Sequence, residues 1–252
     1  DIHSSRGWYN TQTERSMLLD RSTVHHVEGK MMTGDTIYYD KRIGFGEVLG
    51  EMVMSDSTQK ITLTGEYGQM WEEDSRGYAT DSALMIDWSD TAHIAYIHAD
   101  TLFTEELHYT DSALMDSTYR RARAYFGVRV FRDDMQMTCD SMVYIGADST
   151  MHLYTDPICW SENQQIAADS ITVYIVNGTV DHAIGEGNAL CVMHDSLDYF
   201  NQMSGKQVTV YLIEGEVKTV DTDGNALTIY YAKEDDGDYV GMNTTESSFI
   251  RM

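Results

Sequence analysis

The sequence predicts an all-β fold, an elongated folded sheet built from repeated units. Three observations carry this reading. A short motif recurs along the chain, its apolar residues alternate with period two, and helical periodicity is missing from every long segment. Composition agrees. Thr, Val, Ile and Tyr are frequent, there are 19 Gly, and Pro occurs once, at Pro157. These residues favour strands and turns over helices.

The motif is a small residue, two polar residues, then alternating apolar residues. It reads Gly34-Asp35-Thr36-Ile37-Tyr38-Tyr39, Ala99-Asp100-Thr101-Leu102-Phe103-Thr104 and Cys139-Asp140-Ser141-Met142-Val143-Tyr144. Ala168-Asp169-Ser170-Ile171-Thr172-Val173 and Gly205-Lys206-Gln207-Val208-Thr209-Val210 continue it, and a divergent copy begins at Gly65-Glu66-Tyr67. Starting points are separated by 31, 34, 40, 29 and 37 residues. The pentapeptide Asp-Ser-Ala-Leu-Met occurs at 81–85 and again at 111–115. Recurrence on this scale marks stacked supersecondary units with loops of varying length. The expectation is one elongated domain over 1–252, with about six units and the repeat clearest over 27–232.

Alternation assigns the faces. One column holds Ile37, Leu102, Met142, Ile171 and Val208; two residues on, another holds Tyr39, Thr104, Tyr144, Val173 and Val210. Residues at i and i+2 share a side of a strand, so both columns line one face. Thr172, Tyr174 and Tyr211 fall on the other. The recurring Asp reads as a cap where the chain bends into the strand.

Each unit carries further strands. Gly46-Glu47-Val48, Gly127-Val128-Arg129-Val130 and Gly187-Asn188-Ala189-Leu190-Cys191-Val192 form one set, and Met52-Val53-Met54 and Gln59-Lys60-Ile61-Thr62-Leu63 form another. The expectation is two to four short strands per unit. Residues 111–126 are compatible with a short helix, but the repeated pentapeptide favours strand. Stacking such units makes one continuous core or channel, either a closed solenoid or a folded sheet with an open side. The irregular spacing favours the folded sheet.

Charge excludes some functions. Lys and Arg total 17 against 41 Asp and Glu, giving −24, which repels nucleic acid. The acidic run Asp235-Asp236-Gly237-Asp238 reads as an exposed turn. Cys139, Cys159 and Cys191 form no C-x-x-C pair and sit among apolar neighbours, as small core residues. No apolar run is long enough for a membrane-spanning helix. No signal peptide is visible, and the start at Asp1 is compatible with a processed chain.

Catalytic signatures are missing as well. There is no G-x-S-x-G elbow and no H-E-x-x-H, and His93 and His98 face opposite sides of a strand. Arg121, Arg123, Arg129 and Arg132 lie near Asp133 and Asp134 in sequence, as in ordinary surface pairing. No enzyme, cofactor or metal centre is expected. The 16 Met suit either core packing or a groove that accepts several apolar shapes.

The repeat resembles the OstA/LptA family. Ala168-Asp169-Ser170-Ile171-Thr172-Val173-Tyr174 followed by Ala183-Ile184-Gly185-Glu186-Gly187-Asn188-Ala189 carries the likeness best. Gly34-Asp35-Thr36-Ile37-Tyr38-Tyr39-Asp40 with Gly44-Phe45-Gly46-Glu47-Val48 is next. The resemblance implies a twisted V-shaped β-jellyroll, or β-taco, whose groove shelters lipid acyl chains. It implies a periplasmic, outer-membrane-associated component of lipopolysaccharide transport. Its partners would be lipopolysaccharide and other transport proteins joined through end strands; the unpaired end strands of an open stacked sheet predict, in addition, head-to-tail joining of copies. The chain is longer and more acidic than simple members, and its ending at Ser248-Phe249-Ile250 reads as a strand of a larger parent. On this reading the groove is lined by Ile37, Tyr39, Leu102, Met142, Tyr144, Ile171, Val173, Val208 and Val210. Two rivals are an extracellular carbohydrate-binding or polysaccharide-lyase solenoid, with an exposed row of aromatic or basic residues, and a purely structural scaffold.

Overall fold

The computed structural model describes residues 1–26, 29–73, 75–110, 116–161, 163–196, 198–213, 215–234 and 237–252, with only the backbone of 109, 110 and 116. Asp235, Asp236 and the pentapeptide copy at 111–115 lie outside the described residues. The described chain is all β, and none of it is helical. It divides into two compact units, Asp1–Asp133 with Val143–Ala147, and Asp134–Met142 with Asp148–Met252.

The first unit runs from β1 (Ile2–His3) and β2 (Arg6–Asn10), both paired to β3 (Arg15–His25), into an antiparallel meander. The meander continues through β4 (Lys30–Asp40), β5 (Phe45–Asp56), β6 (Ile61–Trp71), β7 (Arg76–Asp87), β8 (Ala95–Thr110) and β9 (Asp116–Arg132). Residues 116–126 are therefore strand. Hairpin turns are fixed by Asx caps. Asp56 Oδ1 accepts from the backbone N–H of Thr58 and Gln59, both at 2.9 Å, and Asn10 Oδ1 accepts from Gln12 at 2.9 Å.

Every long strand of the meander shifts register near its middle. The shifts fall at Leu19/Ser22, Thr33/Thr36, Leu49/Met52, Thr64/Tyr67, Thr80/Ala83 and His98/Thr101, a continuous line across the sheet. The line is a crease that divides the sheet into two leaves facing each other. Ideal Cβ positions show how close the leaves come. A Cβ on Gly34 would lie 2.1 Å from Val48 Cγ1, one on Gly46 2.6 Å from Met32 Cε, and one on Gly68 2.6 Å from Met52 Cε.

This corrects the expectation of several short strands per unit. Gly46-Glu47-Val48 and Met52-Val53-Met54 are the two halves of β5, and each motif copy in the meander straddles the middle of one long strand. Gly34 is buried, Asp35 and Thr36 turn away, and Ile37 is buried again. Two consecutive outward residues reset the alternation, so the far half reads as a new strand.

The second unit repeats the scheme with β10 (Met135–Ile145, whose last three residues belong to the first unit), β11 (Thr150–Tyr154), β12 (Ile158–Ser161), β13 (Gln164–Ala167), β14 (Ser170–Val176), β15 (Thr179–Ser196), β16 (Tyr199–Ile213), β17 (Glu216–Lys233) and β18 (Tyr239–Arg251). Here the crease interrupts some strands outright. The break between β11 and β12 holds Thr155 and Asp156 at positive φ and then Pro157, where no ladder N–H is required. Ala168 and Asp169 separate β13 from β14, which pair with the two halves of β15. Asn177 and Gly178, both at positive φ, close the β14–β15 hairpin.

Two sequence features gain a role at the crease. Gly187, at φ +74°, lies against Asp169, whose Oδ2 is 2.2 Å from its ideal Cβ position; Gly50, at φ +74°, lies against Asp35 in the same way at 2.6 Å. In these two copies the Asp sits over a left-handed glycine of the next strand, and only a residue without Cβ fits beneath it. Asp169 also accepts from Asn188 Nδ2 at 3.1 and 3.2 Å. The motif's small residue has the matching explanation, because the leaves are closest there.

Candidate functional site

The inner faces of the leaves are read from the register. In the first unit Leu18, Ile37, Val48, Gly68, Ala79, Leu102 and Ala124 are successive partners on one leaf. Met32, Met54, Leu63, Met85, Ile97 and Val130 form a row on the other. Small residues on the first leaf face methionines on the second, and flexible thioethers fill the space that Gly46 and Gly68 leave.

Seven of the nine positions chosen from sequence are buried, and Tyr39 and Tyr144 are half-buried. Ile37 and Leu102 share a row and are 0% and 3% exposed. Tyr39 sits one row further out and donates its hydroxyl to Glu72 Oε1 at 3.0 Å. Burial and that bond push its pKa up to about 12. Tyr144 belongs to the first unit by contacts and is half-buried. Met142, Ile171, Val173, Val208 and Val210 belong to the second unit. There Ile171 and Val208 share a row through Gly185, and Val173 and Val210 share the next through Ala183. All five are buried. The chosen positions thus fall into one group per unit, and most of them already pack against the protein's own side chains.

Space opens further from the crease, toward the free ends of the leaves. In the first unit a narrow cleft, partly open to solvent, lies between them. Met54, Ile61 and Leu63 line it from one leaf, and Met70, Gly77 and Thr104 from the other. Lys30, Trp71, Arg76, Glu106 and Arg120 reach it at the rim. Gly77 keeps one wall low, since a Cβ there would already meet Thr104 Cγ2 at 3.1 Å. Sequence reading saw Met54, Ile61 and Leu63 as strand residues but did not place them at the cleft. Their alternation was the available signal.

One side chain spans the mouth. Arg120, on β9, donates from Nη2 to the backbone carbonyl of Gln59 at 3.2 Å and to Gln59 Oε1. Its Nη1 lies 3.8 Å from Asp87 Oδ2. Gln59 Nε2 in turn donates to Glu106 Oε2 at 3.4 Å. Arg120 and Glu106 stand on one leaf, whereas Gln59 and Asp87 end the other, so these contacts tie the leaves together over the cleft. At the rim the Arg76 guanidinium sits 4.3 Å from the Trp71 ring centroid, a cation–π contact. Arg121 and Arg123 both pair with Glu105 at 2.9 Å on the neighbouring strand.

The second unit holds another polar cluster. Tyr239 donates to Asp195 Oδ2 at 2.8 Å, Ser196 Oγ lies 2.5 Å from the same hydroxyl, and Lys233 Nζ is 2.5 Å from Asp195 Oδ2. Hydrogen bonding to Asp195 raises the pKa of Lys233, the wrong direction for a lysine serving as a general base to a serine. The cluster reads as a clamp on strand ends.

No protein-family model matches the chain, and no curated protein matches it either.

Proposed function

We propose that this chain is a lipopolysaccharide-transport component of the OstA/LptA kind, a β-taco that shelters acyl chains between its leaves. The observation that carries the reading is the cleft of the first unit, whose apolar walls stand on two facing leaves. Each buried methylene contributes about 0.8 kcal/mol, so even one acyl chain in such a cleft gains substantially. Binding is the whole task on this reading, with no bond made or broken. The buried columns, Ile37 and Leu102 in one unit and Met142, Ile171, Val173, Val208 and Val210 in the other, act as the groove floor. Tyr39 and Tyr144 stand further toward the opening.

The setting proposed is the periplasm, with delivery toward the outer membrane. Partners would join by strand addition. Among the described residues β18 pairs with β17 alone, which leaves its other edge available to another chain. End-to-end joining of copies would be heterologous and would extend the groove.

The test is displacement of cis-parinaric acid, whose fluorescence rises in apolar surroundings. The expected result is a rise on adding the protein and a fall on adding lipopolysaccharide. Met70→Glu, which places a charge on the cleft wall, should abolish both. No rise with the parent chain, or binding unaffected by Met70→Glu, contradicts the reading.

A further inference from the structure

The outward face of one leaf is unusual in a different way. On the first unit, residues flanking the buried row are aromatic strand after strand. Tyr67, Tyr78, Phe103 and Tyr125 come from β6, β7, β8 and β9, with neighbouring ring centroids 6.1, 4.7 and 6.2 Å apart. A second run crosses the same leaf, with Phe45 6.4 Å from Tyr38 and 5.4 Å from Trp71. Their direction follows from alternation: Tyr78 lies between inward Gly77 and Ala79, and Phe103 follows inward Leu102. These rings keep intermediate exposure, while Phe126 and Leu49 at the crease end are 63% and 43% exposed.

Planar polar groups are set among the rings and held still. Glu47 Oε1 accepts from the Tyr67 hydroxyl at 2.5 Å, and Gln69 Nε2 donates to that hydroxyl at 2.6 Å. Arg123 lies 5.2 Å from the Phe103 centroid while bonding Glu105 at 2.9 Å. Ring faces interleaved with fixed carboxylate, amide and guanidinium groups suit one ligand chemistry. Sugar rings present apolar C–H faces to aromatics and hydroxyls to planar donors and acceptors. Nucleic acid would also stack, but a chain of net charge −24 repels it.

We propose that this outward aromatic face of the first unit is a binding platform for a neutral, extended oligosaccharide. The four-ring run from Tyr67 to Tyr125 lies off the cleft, whereas Trp71, Arg76 and Glu105 also reach the cleft. Neutrality follows from the face itself, because Glu105 already engages Arg121 and Arg123 and the Arg76 guanidinium is stacked on Trp71.

Affinity electrophoresis in native gels tests this, using hydroxyethyl cellulose, laminarin, mannan and dextran as neutral polymers and alginate as the anionic one. The expected result is retardation by at least one neutral polymer and none by alginate. The double variant Tyr78→Leu, Phe103→Leu keeps the apolar bulk and removes two stacking faces. It should weaken that retardation about tenfold, while circular dichroism and cis-parinaric acid binding match the parent. A leucine pair that fails to fold is replaced by Tyr125→Leu alone, which should weaken retardation in the same direction. No retardation by any neutral polymer, or retardation unchanged in the folded variant, overturns the proposal. So does sedimentation showing a dimer that the variant dissolves, since the face would then be covered by a second copy.

Discussion

A Cβ placed on Gly34 would stand 2.1 Å from Cγ1 of Val48. The two residues belong to opposite leaves and meet at the crease, and valine is too stiff at χ1 to swing away. Gly34→Ala should therefore cost about 1–3 kcal/mol, the usual range for overpacking a close-packed interior. The urea midpoint should fall with an unchanged m-value. An unchanged midpoint would mean that the leaves are not held this close.

Asp169 gives the second prediction. Its carboxylate lies over Gly187 and accepts two bonds from the Asn188 amide. Asp169→Ala should cost about 1 kcal/mol, with Asp169→Asn in between. Acyl-probe binding should be unchanged in both. A fall in binding without loss of stability would make this carboxylate a ligand group and not a crease cap.

Alkaline pH should destabilise the second unit. Burial pushes the Cys139 thiol up to about 11 and those of Cys159 and Cys191 up to about 12. The folded state thus favours the neutral thiols more than the unfolded chain does. Their contribution is complete below the unfolded value near 9.0 and is lost as pH rises through about 11 to 12. Cys191→Ala should flatten part of that decline. At neutral pH the folded protein should leave all three thiols unreactive toward a disulfide reagent, and denaturation should expose them. Fast labelling of the folded chain would contradict this burial.

Arg120 is a strap over the cleft. Replacing it by Ala removes its bonds to Gln59 and its pairing with Asp87. These groups are partly exposed, so stability should fall by only about 1 kcal/mol or less. Release of cis-parinaric acid, followed by stopped flow, should become several-fold faster. An unchanged release rate would show that the strap does not control the mouth.

The sequence made the inward faces legible, because period-two alternation is local and survives in a single chain. Ile37, Leu102, Ile171 and Val208 were found this way, and all are buried. The crease was legible only as a bend. Asp35 and Thr36 both turn outward, so a reading by alternation restarts at Ile37 and splits one strand into two. The cleft was harder still. Met54 and Met70 stand on opposite leaves, and pairing leaves depends on contacts that no periodicity carries. The link from Gln59 to Arg120 joins residues 61 apart and was invisible for the same reason.

The central claim is that acyl chains enter between the leaves. Met54 and Val53 are neighbours on β5 and face opposite ways, Met54 into the cleft and Val53 outward. A photo-crosslinking amino acid at each position, illuminated in the presence of lipopolysaccharide, separates the two sides of one leaf. The account predicts a lipid adduct from position 54 and none from position 53. Equal capture at both, or capture at 53 alone, would contradict it.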